Sequence, residues 1–134
     1  MILGIDHGAR RVGIAAADTV TRVARPVEVI DARKKDPVGR IRELVGSLDV
    51  TLIVVGRPVG LSGAPGPAVA AQQEFVGRLR TATQIEIREH DERFTTVEAE
   101  RMMRAGGARS QARRDNRDAV AAQLMLQAYL DGGG

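Results

Sequence analysis

The sequence predicts an α/β fold, a five-stranded mixed sheet with helices on both faces. Three β-rich segments follow one another at the amino end with short joins, which is typical of an antiparallel meander. Two later strands alternate with helical segments, which favours a right-handed parallel β-α-β-α-β unit extending the same sheet. The apolar run TLIVVG at residues 51–56 has no polar side, so helices must cover both of its faces.

The first three strands are predicted at residues 1–6, 11–18 and 24–31. Gly8 supplies the turn between the first two, and Pro26 favours an edge or strand-start position for the third. Apolar residues then recur at helical spacing from Val38 to Leu48, with Asp36 and Pro37 as cap and first-turn residues. This pattern predicts an amphipathic helix.

The second half alternates loops, helices and one more strand. A Gly- and Pro-rich loop, RPVGLSGAPGP, follows the strand at 51–56 and leads into a helix whose buried side carries Val69, Val76 and Leu79. The last strand is predicted from Ile85 to Asp91. Thr95 and Glu98 have the spacing of a capping box before a further helix that ends at Gly106 and Gly107, and the final helix runs from about residue 115 or 116 to about 130.

Length and composition favour one compact domain over residues 1–134. The chain has a mass of 14.4 kDa, and its 43% apolar and 28% charged residues exclude collagen-like, disordered and membrane classes. No apolar run approaches the ~18 residues of a membrane span, and Asp6 interrupts the stretch where a signal peptide would be apolar. We therefore expect a cytoplasmic protein.

The absence of cysteine limits the possible chemistry. It excludes disulfides, thiolate zinc sites and cysteine nucleophiles, and two histidines are too few for a His-rich metal site. Any metal is expected to be a hard cation held by Asp and Glu oxygens.

Arginine dominates the basic residues, with 18 of the 20 Lys plus Arg. Arginine suits phosphate recognition, but GC-rich codon usage would enrich it equally well. Six arginines stand against three acids between Glu100 and Asp118, namely Arg101, Arg104, Arg109, Arg113, Arg114 and Arg117. This stretch is either a cationic loop that follows a phosphate backbone or a solvated surface loop. With only three aromatic residues in the chain, contacts to nucleic acid would be mainly to backbone and shape.

Acidic residues fall where the predicted strands end. Asp6 ends the first strand, Asp91 and Glu92 end the fifth, and Asp118 lies in the first turn of the last helix. Parallel strands share one carboxyl edge, so three carboxylates from separate elements would meet there. Such a cluster matches a Mg²⁺ or Mn²⁺ site for phosphoryl transfer. Alternatively, Asp6 and Asp91 are turn residues, and Asp118 interacts with the helix dipole.

Four segments together resemble the YqgF/RuvX family of Holliday-junction-resolvase-like proteins. They are GIDHGARRVGIAAAD, VVGRPVGLSGAPG, DERFTTVEAER and DAVAAQLMLQAYLD, and they span nearly the whole chain. The resemblance implies an RNase H-like fold and a divalent-metal-dependent nuclease, with a role in pre-16S rRNA 5′-end processing or on branched DNA.

The resemblance also implies roles for individual residues. Asp6, Glu92 and Asp118 would be the catalytic acids and metal ligands, with Asp91 as a further candidate ligand. Arg10, Arg11 and Arg93 match basic positions of the family, where they contact nucleic acid or pair with the acids. The expected nucleic-acid contacts are Arg10, Arg11, Arg57, Arg93, Arg109, Arg113, Arg114 and Arg117.

Two residues depart from the family pattern. His7 stands where an apolar or aromatic residue is usual, and Arg57 replaces a leucine, where it could bind the scissile phosphate or pair with Glu92. RuvC-type resolvases have an acid at the end of the fourth strand, and the resembled family lacks it. This difference weakens the inference of junction resolution more than the inference of a metal-dependent nuclease.

Three function classes compete. The first is a nuclease using Mg²⁺ or Mn²⁺, acting on pre-rRNA or branched DNA as a monomer or homodimer. The second is a nucleic-acid-binding or ribosome-associated factor whose acids serve the fold. An actin-like ATP phosphotransferase is disfavoured, because such enzymes close two similar domains over the nucleotide and the chain has no GxxxxGK[ST] loop.

Overall fold

The structure, a computed structural model, describes residues 1–57, 66–91 and 117–132. The helix expected after Thr95, its capping box and its terminal glycines therefore lie outside the described residues. The strands are β1 (Ile2–His7), β2 (Arg11–Ala17), β3 (Ala24–Asp31), β4 (Leu52–Arg57) and β5 (Glu86–Asp91). The helices are α1 (Pro37–Ser47), α2 (Pro67–Ala82) and α3 (Arg117–Asp131).

The five strands form one mixed sheet in the order β3-β2-β1-β4-β5. β1, β2 and β3 pair antiparallel, whereas β1, β4 and β5 are mutually parallel. This confirms the predicted meander joined to a parallel unit. The carboxyl ends of β1, β3, β4 and β5 consequently lie at the same edge of the sheet.

The turns between the first strands follow local rules. The Gly8 amide donates to the Arg11 carbonyl at 2.9 Å and closes the β1–β2 turn. β3 is an edge strand, as Pro26 predicted, and a register irregularity between Ile14 and Ala15 of β2 lies next to that proline. A proline has no amide hydrogen to donate, so an interruption of regular pairing is expected there.

Two apolar layers sandwich the sheet. One face carries large residues that pack against α1 and α2, including Leu3, Ile5, Ile14, Ile53 and Val55, all fully buried. The other face is lined with small residues of β2 and packs against α3, whose Ala122, Met125, Leu126 and Leu130 are buried. Helices thus cover both sides of β4, as its uniform apolarity requires.

The amino end of α1 differs from the prediction in one detail. Asp36 is the N-cap residue and Pro37 begins the helix, but the Asp36 side chain makes no capping hydrogen bond. Its Oδ1 accepts from the Arg78 guanidinium of α2 at 3.1 Å instead. The acid ties the two helices together, a role that local sequence could not reveal.

Within the three described segments, no helix is long and apolar enough to cross a membrane.

Candidate functional site

Asp6 lies near the carboxyl end of β1 and is half-buried. It pairs directly with Gly13 of β2 in the antiparallel register. Directly opposed residues of an antiparallel pair carry their side chains on the same face of the sheet. Because Gly13 has no side chain, the surface beside the Asp6 carboxylate is open to whatever packs there.

What packs there is the first turn of α3. A Cβ added to Gly13 would lie 1.9 Å from the Asp118 carbonyl oxygen and 3.0 Å from the Ala119 amide nitrogen. The backbone of Asp118 therefore lies directly against Gly13, the register partner of Asp6. Glycine is needed here because any side chain would occupy the space of the helix backbone. Two acids far apart in sequence thereby come to the same face and edge of the sheet.

Glutamines of α3 fix the position of this helix. Gln127 Oε1 accepts from the Ala24 amide of β3 at 2.9 Å, and its Nε2 donates to the Arg22 carbonyl at 3.1 Å. Gln123 Nε2 donates to the Ala24 carbonyl at 3.1 Å. These bonds satisfy backbone groups at the start of the edge strand β3 and just before it. They also anchor the helix that carries Asp118.

Asp118 and three arginines line a small cleft of about 370 Å³. Its lining is Gly8, Ala9, Arg10, Arg11, Arg33 and Asp118. Arg11 shares the α3 face of β2 with Gly13, since Val12 between them packs on the opposite face. Arg10 and Arg11 are exposed. The predicted pair Arg10 and Arg11 thus lies beside one predicted acid, where guanidinium groups can meet a phosphate.

Asp91 and Arg57 lie at the same edge but on the other face. Arg57 and Asp91 are register partners at the ends of β4 and β5. Side chains alternate along a strand, so Arg57 shares the face of Val55, which packs with the α1 and α2 cluster. Asp91 correspondingly shares the face of Glu89, which bonds to Gln72 of α2. Both therefore lie across the sheet from Asp6.

Several predicted residues lie outside the described residues, and the structure says nothing of them. They are Glu92, Arg93, Arg109, Arg113 and Arg114, together with the side chain of Arg117. Glu92 follows directly after the last residue of β5.

His7 takes a packing role on the α2 face. Its ring stacks on Phe75 with centroids 4.5 Å apart and an interplanar angle of 28°. Burial lowers the pKa of His7, and the neighbouring Asp6 carboxylate only partly opposes that shift. A neutral imidazole therefore fills a position where the resembled family usually has an apolar or aromatic residue.

His90 lies on the α3 face, near the end of β5. Its ring meets Tyr129 of α3 edge-on at 6.0 Å, and burial lowers the pKa of His90 while Asp91 opposes the shift. Its Nε2 is buried and has no hydrogen-bond partner among the described residues. Arg88 of the same strand donates to the Tyr129 hydroxyl at 2.7 Å. These contacts attach α3 to the parallel half of the sheet.

The donor chemistry of Asp6 and Asp118 fits a hard divalent cation. Both are carboxylates on one face, and Gly13 leaves no side chain between the strand and the helix turn. Oxygen ligands of this kind suit Mg²⁺ and Mn²⁺. Residues 1–57, 66–91 and 117–132 hold no group of three His, Cys, Asp or Glu residues able to bind a metal. The predicted third acid, Glu92, is outside that set.

Sequence reasoning missed two contributors to this site. Gly13 determines how closely α3 approaches, and a glycine inside a strand is the signal that could have revealed it. Arg33 lies far from the acids in sequence but lines the cleft with Asp118. No local pattern identifies Arg33, because its position depends on the pairing of β3 with β2.

A family model described as "RuvX: Holliday junction resolvase" matches residues 1–132. The chain is 39% identical over 131 residues to a protein of Chloroflexus aggregans named "Putative pre-16S rRNA nuclease", covering 97% of this chain and 92% of that one. A protein of Ruminiclostridium cellulolyticum with the same name is 36% identical over 132 residues, covering 97% and 93%.

Solved resolvase structures share the fold. Thermus thermophilus RuvC in complex with a Holliday junction matches with a TM-score of 0.56 and 18% identity, covering 96% of this chain and 94% of that chain. The fowlpox virus resolvase in complex with Holliday junction DNA matches with a TM-score of 0.57 and 9% identity, covering 98% and 97%. The strand order and these neighbours confirm the predicted RNase H-like fold.

Proposed function

Because the chain belongs to the RuvX family and its relatives are named as nucleases, we propose that it is a divalent-metal-dependent nuclease that cleaves structured nucleic acid. The names of its relatives favour the 16S rRNA precursor as substrate over branched DNA. We further propose that it acts in the cytoplasm as a single domain.

One observation carries the proposal. The first turn of α3 lies against Gly13, so Asp118 is held beside the register partner of Asp6. Packing alone does not require an acid at the start of α3, whose buried positions further along are apolar. Two carboxylates brought to one face by separate elements are what a hard metal ion needs.

In this proposal Asp6 and Asp118 hold the metal together with Glu92, whereas Asp91 lies on the opposite face of the sheet from Asp6 and is not proposed as a ligand of this ion. The bound ion, Mg²⁺ or Mn²⁺, would activate the attacking water and stabilise the leaving oxygen. Arg10, Arg11 and Arg33 attract the phosphodiester and offset the like charge of the acids. Gly13 keeps the acid-bearing helix close to the strand.

Arginines outside the described residues, together with Arg117 at the start of α3, complete the proposed substrate surface. Arg93, Arg109, Arg113, Arg114 and Arg117 would follow the phosphate backbone beyond the cleaved bond. Arg57 lies on the opposite face from Asp6, which favours contact with a flanking phosphate rather than with the scissile one.

The test compares wild type with Asp118→Asn in Mn²⁺. The substrates are an RNA that carries the 16S precursor leader, a four-way DNA junction and linear DNA of equal length. We expect wild type to cut and Asp118→Asn, like Asp6→Asn, to lose activity by at least about a hundredfold, because an amide is a poor ligand for a hard cation.

Asp131→Asn is the matched control. It makes the same change at the exposed far end of α3, where Asp131 accepts from Gln127 at 3.1 Å. It should cut as fast as wild type. Equal cutting by Asp118→Asn and wild type would refute the site. Binding without cutting by either would instead favour a nucleic-acid-binding or ribosome-associated factor.

A further inference from the structure

A second cleft lies across the sheet edge from the acids. It has a volume of about 660 Å³ and lies between the β1–β2 turn, the β3–α1 loop and α2. Its charged lining consists of Arg33, Lys34, Lys35, Arg78, Asp36 and Glu74. We call it the basic cleft, because four cations face two acids there.

Among the described residues, Lys34 and Lys35 are the cations of the basic cleft that make no ion pair. Arg78 pairs with Asp36 at 3.1 Å, and Arg33 contacts Asp31 at 3.4 Å. Lys34 and Lys35 are exposed, and neither lies within 4 Å of a carboxylate oxygen in the part of the chain that the structure describes. They are also the only lysines in the sequence. Asp31 and Glu28 interact with these lysines only at longer range, so the two adjacent ammonium groups still repel each other, and a polyanion would relieve that repulsion.

The β3–α1 loop holds these lysines in a fixed backbone geometry. The amides of Lys34 and Lys35 both donate to the Asp31 carbonyl at 3.0 Å. The Asp31 carboxylate accepts from the Arg33 amide at 2.9 Å, and that bond is the main reason why the pKa of Asp31 is lowered. A preorganised loop loses less conformational entropy when it binds a ligand.

The basic cleft is continuous with the cleft beside Asp118. Gly8, Ala9 and Arg33 line both. The Ala32 amide also donates to the Arg10 carbonyl at 2.8 Å, which joins the two loops at the sheet edge. A strand that leaves the acids past the β1–β2 turn would therefore enter the basic cleft next.

We propose that Lys34 and Lys35 bind backbone phosphates of the substrate strand on one side of the cleavage position, with the strand passing over the β1–β2 turn. This inference rests on the proposed function for the position of the cut. The contacts of Lys34 and Lys35 are to phosphates rather than to bases, because these two side chains end in flexible ammonium groups without the planar fork of arginine.

The test measures how salt affects binding by the variant Lys34→Ala/Lys35→Ala. Binding of the fluorescein-labelled 16S leader RNA and of the four-way DNA junction is followed by anisotropy, in EDTA so that nothing is cut. Loss of two phosphate contacts should reduce the slope of log affinity against log salt by about 1.4 on single strands and about 1.8 on duplex. The binding defect should then be about tenfold larger at 50 mM than at 200 mM salt.

Arg25→Ala/Arg80→Ala is the matched control. It removes two exposed cations at the opposite edge, since Arg25 is near the start of β3 and Arg80 is in the last turn of α2. Its salt slope should equal that of wild type. An unchanged slope for the lysine variant, or an equal change in both variants, would overturn the inference.

Cleavage kinetics test on which side of the cleaved bond the two lysines contact the substrate. The lysine variant should raise KM about tenfold and leave kcat within about twofold, because flanking phosphates are bound equally in ground and transition states. Shortening the substrate on one side of the cut should abolish the difference from wild type, whereas shortening the other side should preserve it. A difference that persists on the shortest substrate cut would refute flank binding.

The two proposals fail separately. If wild type cuts and the lysine variant keeps the wild-type slope, the nuclease stands and the basic cleft does not bind substrate. If wild type never cuts but the lysine variant loses slope, the metal nuclease is refuted and the basic cleft stands as a nucleic-acid surface.

Discussion

Replacing Gly13 with alanine should separate the two acids. The added Cβ would lie 1.9 Å from the Asp118 carbonyl oxygen, and real Cβ atoms essentially never come closer than 3.0 Å to another heavy atom. The first turn of α3 must therefore retreat by about 1.1 Å, the difference between those two distances. A misplacement of about 1 Å at a reacting centre can cost about a hundredfold in rate.

We therefore expect Gly13→Ala to reduce kcat/KM at least about a hundredfold and to weaken Mn²⁺ affinity. Overpacking should also lower the free energy of unfolding by about 1–3 kcal/mol, which corresponds to a fall in Tm of roughly 4–11 °C for a chain of this size. The assays are cleavage of the 16S leader RNA, Mn²⁺ binding by electron paramagnetic resonance, and thermal unfolding by circular dichroism.

Two other glycines provide controls. At Gly4 the added Cβ meets the Leu126 Cβ at 2.8 Å, so relief needs a shift of only about 0.2 Å, two turns away from Asp118. Gly4→Ala should lose stability but keep activity within about threefold. At Gly77 nothing lies within 4 Å, so alanine should raise stability by about 0.5–1 kcal/mol. A folded Gly13→Ala protein with wild-type activity and Mn²⁺ affinity would refute the reasoning.

Two further predictions concern the edge strand and the late arginines. Arg40 donates to Glu28 in two hydrogen bonds, at 3.0 and 2.7 Å, and these hold the pKa of Glu28 below its usual value. The resulting stability is present above the unfolded-state pKa and is lost as pH falls through the lowered folded pKa. Glu28→Gln should therefore cost about 1 kcal/mol at neutral pH and nothing in acid, as measured by urea unfolding; an equal cost at both would contradict the linkage. Separately, Arg113→Ala/Arg114→Ala should weaken binding to the leader RNA while Mn²⁺ affinity is unchanged, and an unaltered RNA affinity would exclude these arginines from the interface.

Most of the fold follows from local sequence patterns. The uniform apolarity of residues 51–56 identified a strand covered on both faces, and Ile53, Val54 and Val55 are fully buried. Pro26 identified the edge strand, since a proline cannot pair on both sides. These signals are informative because the pattern of apolar side chains and the capacity of the backbone to form hydrogen bonds are properties of a few neighbouring residues.

The sequence did not predict on which face of the sheet the residues at the strand ends lie. The position of Asp6 at the end of β1 was readable from sequence, but its face relative to Asp91 and Arg57 depends on the strand register. A shift of one residue would exchange the faces, and no local pattern near Asp91 or Arg57 fixes that choice.

The sequence by itself determined the order of the strands and helices, their approximate first and last residues, and the acids that could bind a metal. Only the tertiary structure decided that the first turn of α3 lies on Gly13 and that Lys34 and Lys35 share an edge with the acids. The physical reason is that local segments encode their own conformation. The distance between segments depends on which side chains are missing or small where they meet, as at Gly13.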